Sequence, residues 1–225
     1  MGSNEPMTHT LGAAEAFRKV PRGSAPRSGD RPPFYLLATG AVLMLALAIR
    51  CLVIFTRLYV IHPDEVFQYL EQGHRLAFGS GVMPWEFHDG IRSWLLPSIL
   101  AGIITVCGWI SSDPSFYIYA IRFGCSILSL SVVYIAFRLA FQRDGLLGAV
   151  TTGLLCGIWF ETIYFSPSVM TEVLASYCTI VAVYLAEQRD ESDACGTMVL
   201  AGIVLGLALC RIRDLAAPPA PLVPP

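Results

Sequence analysis

The stretch FYLLATGAVLMLALAIRCLVIFT, residues 34 to 56, decides the fold class. It has 23 residues and a single charged side chain, Arg50, near its end. A hydrocarbon core of about 30 Å takes about 20 apolar residues in a helix, and the bilayer offers no partner to an open backbone. The stretch therefore predicts a membrane-spanning helix, retained as an anchor because no small-x-small cleavage site follows it. Arg50 is expected to snorkel near the outer end of this span.

The composition of the whole chain agrees with this first span. Of 225 residues, 55% are hydrophobic and 14% are charged, whereas soluble domains are roughly 25% charged. We therefore predict an all-α, polytopic membrane helical protein. The net charge of −2 gives no reason to expect a nucleic-acid partner, which would require a basic surface. Further apolar runs occupy residues 93 to 110, 116 to 137, 145 to 165, 168 to 187 and 196 to 210.

The sequence divides into three regions. Residues 1 to 33 carry five basic and three acidic side chains among many Gly, Ser and Pro residues, which predicts a disordered cytoplasmic tail. Residues 34 to 210 form the transmembrane region, with an external loop at 57 to 115. Residues 211 to 225 are rich in proline, which cannot continue a helix. We expect this end to mark a truncated or frameshifted chain whose remaining spans are missing.

The run at 93 to 110 leaves the topology open, because Pro97 interrupts it. If this run is re-entrant or interfacial, the next one passes inward and places Arg138 and Arg143 inside, as the positive-inside tendency favours. If it spans, both arginines lie outside. We favour the non-spanning interpretation. The runs at 145 to 165 and 168 to 187 are then a tight pair, whose FSPS connection lies on the same outer face as the loop.

Two GxxxG spacings occur in the apolar runs. They pair Gly153 with Gly157 and Gly202 with Gly206. Such spacings usually let helices approach closely and carry no chemistry, so we predict packing contacts at both.

The stretch LYVIHPDEVFQYLEQGHR, residues 58 to 75, begins the polar loop and predicts an amphipathic helix. Its start at Pro63, followed by two acids in the first turn, is typical of a helix N-terminus and needs no further function. The spacing is that of a helix lying in the membrane interface. One face carries Val66, Leu70, Gly73 and Ala77, and the opposite face carries Glu65, Gln68, Gln72 and Arg75.

Ionisable side chains concentrate in this loop, which makes it the candidate site. Asp64 is placed to deprotonate an acceptor hydroxyl while a lipid-phosphate group departs. The helix start would lower its pKa and desolvation would raise it, and the sequence leaves this balance open. The histidine spacing matches no metal-ligand motif, so we predict no metal site. The loop's ionisable residues are Asp64, Glu65, Glu71, Glu86, Asp89, His62, His74, His88 and Arg92.

Arg92 and four further side chains have a plain structural explanation, in some of them beside a possible functional one. Trp85 and Trp94 are typical of the aromatic belt at a membrane interface, with sugar stacking the alternative for Trp85. Arg92 either snorkels or pairs with a phosphate. Glu161 and Glu172 lie near span ends, where solvation explains them, and Glu172 is the one expected to face a cavity.

With these residues in view, the stretch HPDEVFQYLEQGHRLAFGSGVMPWEFHDGIRSWLLP, residues 62 to 97, closely resembles the first outer loop of glycosyltransferase family twenty-two. This family contains the mannosyltransferases that build glycosylphosphatidylinositol (GPI) anchors and the lipid-linked N-glycan precursor, with bacterial relatives. The resemblance continues more weakly through IRFGCSILSLSVVYIAFRL and SPSVMTEVLA. The ordered occurrence of HPDE, QYLEQGHR, PWEF and RSWLLP is its most specific part.

The resemblance implies a GT-C architecture with its active site in this loop, facing the lumen or periplasm. It implies transfer of mannose from a polyprenyl (dolichyl) phosphate mannose donor to a lipid-linked glycan acceptor, with inversion and without a nucleotide sugar or cofactor. By position, Asp64 would be the general base and Glu65 its catalytic neighbour, with Arg92 at the donor phosphate. The other substrate-binding candidates are His62, Trp85, Glu86 and Glu172.

Two other classes of protein stay open. A transporter or channel subunit would carry ionisable residues at mid-span. An inactive, truncated membrane fragment is the second alternative, and the Pro-rich end is its evidence. The membrane would be the endoplasmic reticulum membrane or a bacterial plasma membrane, and the Arg-rich, Lys-poor composition favours a bacterium.

Overall fold

The computed structural model describes residues 33 to 56, 62 to 187 and 194 to 209, and these are helical without any strand. The all-α prediction is confirmed. The predicted tail, apart from Pro33, and the Pro-rich end lie outside the described residues. Two helices, Phe34–Thr56 and Pro114–Ile158, are long and apolar enough to cross a membrane. The elements are α1 (Phe34–Thr56), a π-helical turn (Glu65–Leu70), α2 (Glu71–Phe78), α3 (Trp85–His88), α4 (Leu95–Gly108), α5 (Pro114–Ile158), α6 (Phe160–Phe165), α7 (Thr171–Glu187) and α8 (Ala194–Leu209).

Helix α5 is a hairpin that reverses at Gly145. This residue has φ 71° and ψ −161°, a backbone region that is essentially restricted to glycine. The two arms, 114–144 and 146–158, then run back along each other. A Cβ placed on Gly153 would lie 2.9 Å from Cδ2 of Phe137, and one on Gly157 would lie 3.8 Å from Cγ1 of Val133. The two arms agree with the predicted separation of the runs at 116 to 137 and 145 to 165, with a single glycine turning the chain between them. The second run is not one helix as predicted, because the extended backbone of Trp159 divides it into the second arm of α5 and α6.

The first predicted glycine pair packs the α5 hairpin against α1. A Cβ on Gly153 would lie 3.1 Å from Cγ1 of Val42, and one on Gly157 would lie 3.3 Å from Cβ of Ala46. The packing prediction is therefore confirmed here. It is not met at Gly202 and Gly206, where a Cβ would find no neighbour within 4 Å among the described residues.

Arg50 does not snorkel, contrary to the sequence-based expectation. Its side chain is completely buried, and its Nε donates a hydrogen bond of 2.8 Å to Oγ of Ser129. Its Nη1 donates to the carbonyl oxygens of Ala46 at 2.9 Å and Gly157 at 3.1 Å. The close approach at Gly157 and the end of α5 one residue later offer acceptors inside the protein, so the cation ties α1 to both arms.

The short helix α4 packs against the loop. Its 14 residues extend about 21 Å, less than a hydrocarbon core of about 30 Å, a length in keeping with the non-spanning prediction. A Cβ on Gly73 would lie 2.9 Å from Cβ of Leu100, so only glycine lets α2 approach so closely. Trp94, expected in an aromatic belt, is instead buried. Its ring packs edge-on against Phe87 at 4.7 Å between centroids, which gives it a protein neighbour in place of lipid.

Polar contacts mark the two ends of the helix bundle. At one end, Arg138 donates to the hydroxyls of Tyr35 at 3.2 Å and Tyr184 at 3.4 Å. At the other end, the hydroxyls of Tyr69 and Thr171 lie 2.8 Å apart. The turn between α6 and α7 therefore meets the loop that carries the candidate residues, as the sequence predicts.

Candidate active site

The π-helical turn after Asp64 turns polar side chains toward the protein. The backbone N–H of Glu71 bonds to the carbonyl of Val66, five residues back, as in the π-bulges often found at functional sites. The predicted amphipathic orientation is wrong on this face, because Glu65, Gln68 and Gln72 are buried. They face inward because each of them forms a hydrogen bond inside the protein.

Gln72 is held inside the protein by backbone carbonyl groups of the loop. Its side-chain amide donates to the carbonyl oxygens of Phe67 and Val82, both at 2.9 Å. The chain at Val82 is also held by its own N–H, which donates to Oε1 of Glu71 at 2.9 Å. These bonds close residues 79 to 84 against the helix and give the loop a fixed shape.

Glu65 is the completely buried member of the adjacent acid pair. Its Oε1 lies 3.8 Å from Nη2 of Arg122 on the first arm of α5. The backbone N–H of Val169, in the turn before α7, donates to the same oxygen at 3.3 Å. With the side chain 0% exposed, it is placed to position the helix that follows Asp64 and is closed to a substrate in this conformation.

Asp64, one residue earlier, is open to solvent. Its side chain is 48% exposed, and its Oδ2 lies 3.5 Å from Nδ1 of His62, which is 51% exposed. Two of the predicted site residues are thus brought together at the start of the π-helical turn. A carboxylate in this setting can reach a bound hydroxyl and accept its proton.

Glu86 and Arg92 form a second pair in the loop. Arg92 Nε donates to Oε2 of Glu86 at 2.9 Å, and the amide of Gln68 donates to the same oxygen at 3.1 Å. The bond to Glu86 raises the pKa of the Arg92 guanidinium, with partial burial opposing it and the charge of Asp64 adding to the rise. Of the two roles that the sequence left open for Arg92, snorkelling and pairing with a phosphate, the structure shows neither: its contact is Glu86, and a phosphate would have to share Arg92 with this carboxylate.

The structure places Trp85 at the surface of the loop and Glu172 at a pocket. The Trp85 side chain begins α3 and is 64% exposed. Glu172 lines a pocket of about 360 Å³ between the first arm of α5, α6 and α7, as does Glu161. The expectation that Glu172 faces a cavity agrees with this pocket, and Glu161 joins it although the sequence suggested solvation alone. The pocket is lined by Ser129, Val132, Glu161, Thr162, Phe165, Met170, Glu172, Val173, Ser176 and Tyr177.

The pocket adjoins the turn that holds Glu65. Met170 lines the pocket, while its neighbours bond to the loop through Val169 N–H and the Thr171 hydroxyl. In the described part of the chain, no three His, Cys, Asp or Glu side chains are close enough to hold a metal ion.

Two residues of this region were missed by sequence reasoning. Arg122 carried a usable signal, since a charge within an apolar run is a functional or structural marker by default. Gln68 carried none, because only the folded loop brings it to Glu86, 18 residues later.

Comparison with known proteins agrees with the resemblance of the loop. The sequence model of the Alg9-like mannosyltransferase family matches residues 41–218. The chain belongs to this family. No solved structure matches it.

Three curated relatives illustrate the similarity. GPI mannosyltransferase 3 of Drosophila melanogaster is 31% identical over 154 residues, covering 68% of this chain and 26% of the relative. Mannosyltransferase APTG1 of Arabidopsis thaliana is 30% identical over 205 residues, or 87% and 36% of the two chains. GPI alpha-1,2-mannosyltransferase 3 of Homo sapiens is 30% identical over 165 residues, or 72% and 28%.

These alignments cover between about a quarter and about a third of the relatives' own length. The three relatives come from an insect, a plant and a mammal, so they lend no support to the bacterial host that composition favoured.

Proposed function

We propose that this chain carries the catalytic loop of a mannosyltransferase that acts on a lipid-linked glycan in a membrane. The observation that supports it best is the half-exposed Asp64 carboxylate on a helix anchored by the buried Glu65. Membership in the Alg9-like mannosyltransferase family supplies the sugar, and the names of relatives such as GPI mannosyltransferase 3 supply the GPI glycan as acceptor class. The donor is polyprenyl phosphate mannose.

In this mechanism, Asp64 accepts the proton of an acceptor hydroxyl as its oxygen attacks the anomeric carbon of mannose. The new C–O bond forms on the face opposite the departing lipid phosphate, so the configuration inverts. The phosphate keeps the electron pair of the broken bond, and the Arg92 cation stabilises its charge while sharing Glu86. His62, 3.5 Å from Asp64, is placed to pass the proton on to solvent.

The arrangement of the protein in the membrane is part of the proposal. The chain crosses the bilayer several times, with the tail and Arg138 inside and the loop on the lumenal or periplasmic side. The acceptor and donor are both membrane lipids, so a site beside a span meets their head groups directly. Glu172 and the pocket next to it face the same end of the bundle.

The substitution Asp64→Asn tests the assignment of the base. It removes the proton acceptor with little change in shape, so we expect transfer to fall by about 10²- to 10⁴-fold with unchanged protein abundance. Transfer is measured in membranes that contain the chain, from polyprenyl phosphate mannose to a GPI-type glycolipid. Asp89→Asn, at an exposed position of the same loop, is the matched control and should keep activity.

Full activity of Asp64→Asn would exclude Asp64 as the base. Absence of transfer by the unchanged chain would contradict the proposed activity itself.

The buried cations of the helices do not favour a transporter. Arg50 is bonded to two backbone carbonyls and a serine, and Arg122 lies beside Glu65. Both sets of contacts connect one helix to another, which is a structural role.

A further inference from the structure

Arg138, on the first arm of α5, is a half-buried cation whose partners are neutral. Its Nη1 donates to the hydroxyl of Tyr35 and its Nε to the hydroxyl of Tyr184, while its Nη2 has no hydrogen-bond partner in the described part of the chain. No carboxylate among the described side chains forms an ion pair with it. A cation that is partly withdrawn from water without an anion is unfavourable, so the charge of Arg138 is open to balance by a ligand.

The other buried or paired arginines of the chain differ from Arg138. Arg92 and Arg122 each lie beside a carboxylate, and Arg50 is completely buried. Arg138 combines an accessible guanidinium with the lack of a described acidic partner. The hairpin turn at the same end of the bundle adds Arg143 and Asp144, both exposed, whose charges cancel and leave that of Arg138 in excess.

The two tyrosines hold the guanidinium in one orientation. The Nε and Nη2 groups share an edge of this planar fork, so the Tyr184 hydroxyl, which accepts from Nε at 3.4 Å, lies beside the open Nη2. The oxygen of Tyr184 is the acceptor in this bond, which leaves its own hydrogen to be donated. An anion next to Nη2 would therefore receive an N–H and an O–H donor together.

The surroundings of this cluster suit an anion that has an apolar tail. Tyr35 lies in the first turn of α1, where backbone N–H groups have no acceptor within the helix and the dipole is positive. The side chains beside it are apolar and exposed, namely Phe34 at 66%, Leu36 at 72% and Leu37 at 70%. A free phosphate gains nothing from these side chains, whereas an acyl chain packs against them.

The length of α1 places the cluster at the depth of lipid phosphates. From Tyr35 to Thr56 the helix extends about 32 Å, close to the thickness of a hydrocarbon core of about 30 Å. When α1 spans the bilayer, Tyr35 therefore lies at the surface opposite Thr56, and Arg138 lies there with it.

We propose that Arg138, the Tyr184 hydroxyl and the first turn of α1 bind the head-group phosphate of an anionic phospholipid. The site lies at the end of the bundle away from the loop and the pocket, so it is independent of the reaction that the loop supports. The bound lipid offsets the charge of Arg138 where α1, α5 and α7 meet, through Tyr35, Arg138 and Tyr184.

Native mass spectrometry of the full-length chain in a neutral detergent tests this site, with phosphatidylglycerol as the probe. Arg138→Gln removes the cation, so we expect the apparent dissociation constant of phosphatidylglycerol to rise about tenfold. Phosphatidylcholine, whose head group carries its own cation, should bind at least about tenfold more weakly than phosphatidylglycerol to the unchanged chain.

The matched control is Arg143→Gln, which removes the same charge from an exposed position of the same arm and should change the constant by less than about twofold. Equal weakening by the two substitutions would show a general attraction of anions to this end. Equal binding of phosphatidylcholine would show that the charge of the lipid is not recognised. Displacement of the lipid by inorganic phosphate at equal concentration would show a site for soluble phosphate. Each of these results would overturn the proposal.

Tyr184→Phe tests the same site without removing the cation, and so covers the case in which Arg138→Gln does not fold. The loss of one hydroxyl donor should raise the dissociation constant of phosphatidylglycerol about fivefold. Thermal unfolding in lipid-free detergent accompanies this measurement. A loss of stability there without any change in lipid binding would reduce Tyr184 to a structural role and contradict the site.

Discussion

At the scale of single residues, two adjacent acids have opposite surroundings. Asp64 is half-exposed beside His62, whereas Glu65 is enclosed between Arg122 and the Val169 N–H. The sequence predicted the acids as a pair because it shows their order and not the direction of each side chain. Neighbours in a helix point about 100° apart, so a step of one residue is enough to leave one carboxylate in solvent and to bury the other against protein partners.

The anchoring role predicts a stability effect at Glu65. Glu65→Gln leaves the Arg122 cation buried next to a neutral group, so we expect the free energy of unfolding to fall by about 3 kcal/mol. Thermal unfolding in detergent micelles measures this change. Glu161→Gln, at an exposed site, is the control and should shift the free energy by less than about 0.5 kcal/mol.

Additional removal of the cation, in Glu65→Gln with Arg122→Gln, should restore part of the loss, because the two opposite charges are then replaced by a neutral pair. Equal stability of Glu65→Gln and the unchanged chain would contradict the anchoring role.

At the scale of the elements, the sequence predicts a helix correctly where a long apolar run determines it. The span at 34 to 56 coincides with α1, and the runs around residue 145 form the two arms of α5. Sequence reasoning failed where tertiary contacts decide direction: Arg50 has acceptors inside the bundle, and Gln72 faces inward because it closes the loop onto Phe67 and Val82. These acceptors lie far away in the sequence or on its backbone, and no local pattern reports them.

The reversal of α5 predicts a strong requirement for glycine at residue 145. Its φ of 71° and ψ of −161° are strained for any residue with a Cβ, so Gly145→Ala should cost about 1 to 3 kcal/mol of stability. Thermal unfolding of the purified protein in micelles would show the loss. Gly40→Ala in α1 serves as the control, because a Cβ there meets no neighbour within 4 Å and alanine favours the helix. Unchanged stability of Gly145→Ala would mean that the turn is made differently.

At the scale of the whole molecule, the described helices place the loop, the turn before α7 and the pocket at one end and the Arg138 cluster at the other. The family could be predicted from the ordered motifs of residues 62 to 97, because their shared occurrence is specific. The division of the site into a loop cluster and a pocket could not, since it depends on how α7 docks against the loop.

The length of α4 predicts its topology. A helix of about 21 Å is too short to cross a core of about 30 Å, so Ser111 and Asp89 should lie on the same side of the membrane and Asp144 on the other. A membrane-impermeant maleimide applied to sealed vesicles measures this with Ser111→Cys, Asp89→Cys and Asp144→Cys. The unchanged chain, with its own seven cysteines, gives the background. Labelling of Ser111→Cys from the side of Asp144→Cys would show instead that α4 spans.

The contacts of Arg50 can form only late in the synthesis of the chain. Its acceptors on Ser129 and Gly157 lie 79 and 107 residues later in the chain, which a ribosome reaches roughly 5 to 20 s after Arg50. During that interval α1 has no hairpin to receive the guanidinium, so we expect the growing chain to hold Arg50 at the membrane surface. Arg50 would then snorkel during synthesis, although it does not in the folded protein. Nascent chains arrested before residue 129 should react at their own Cys51, next to Arg50, with aqueous reagents more readily than the finished protein does.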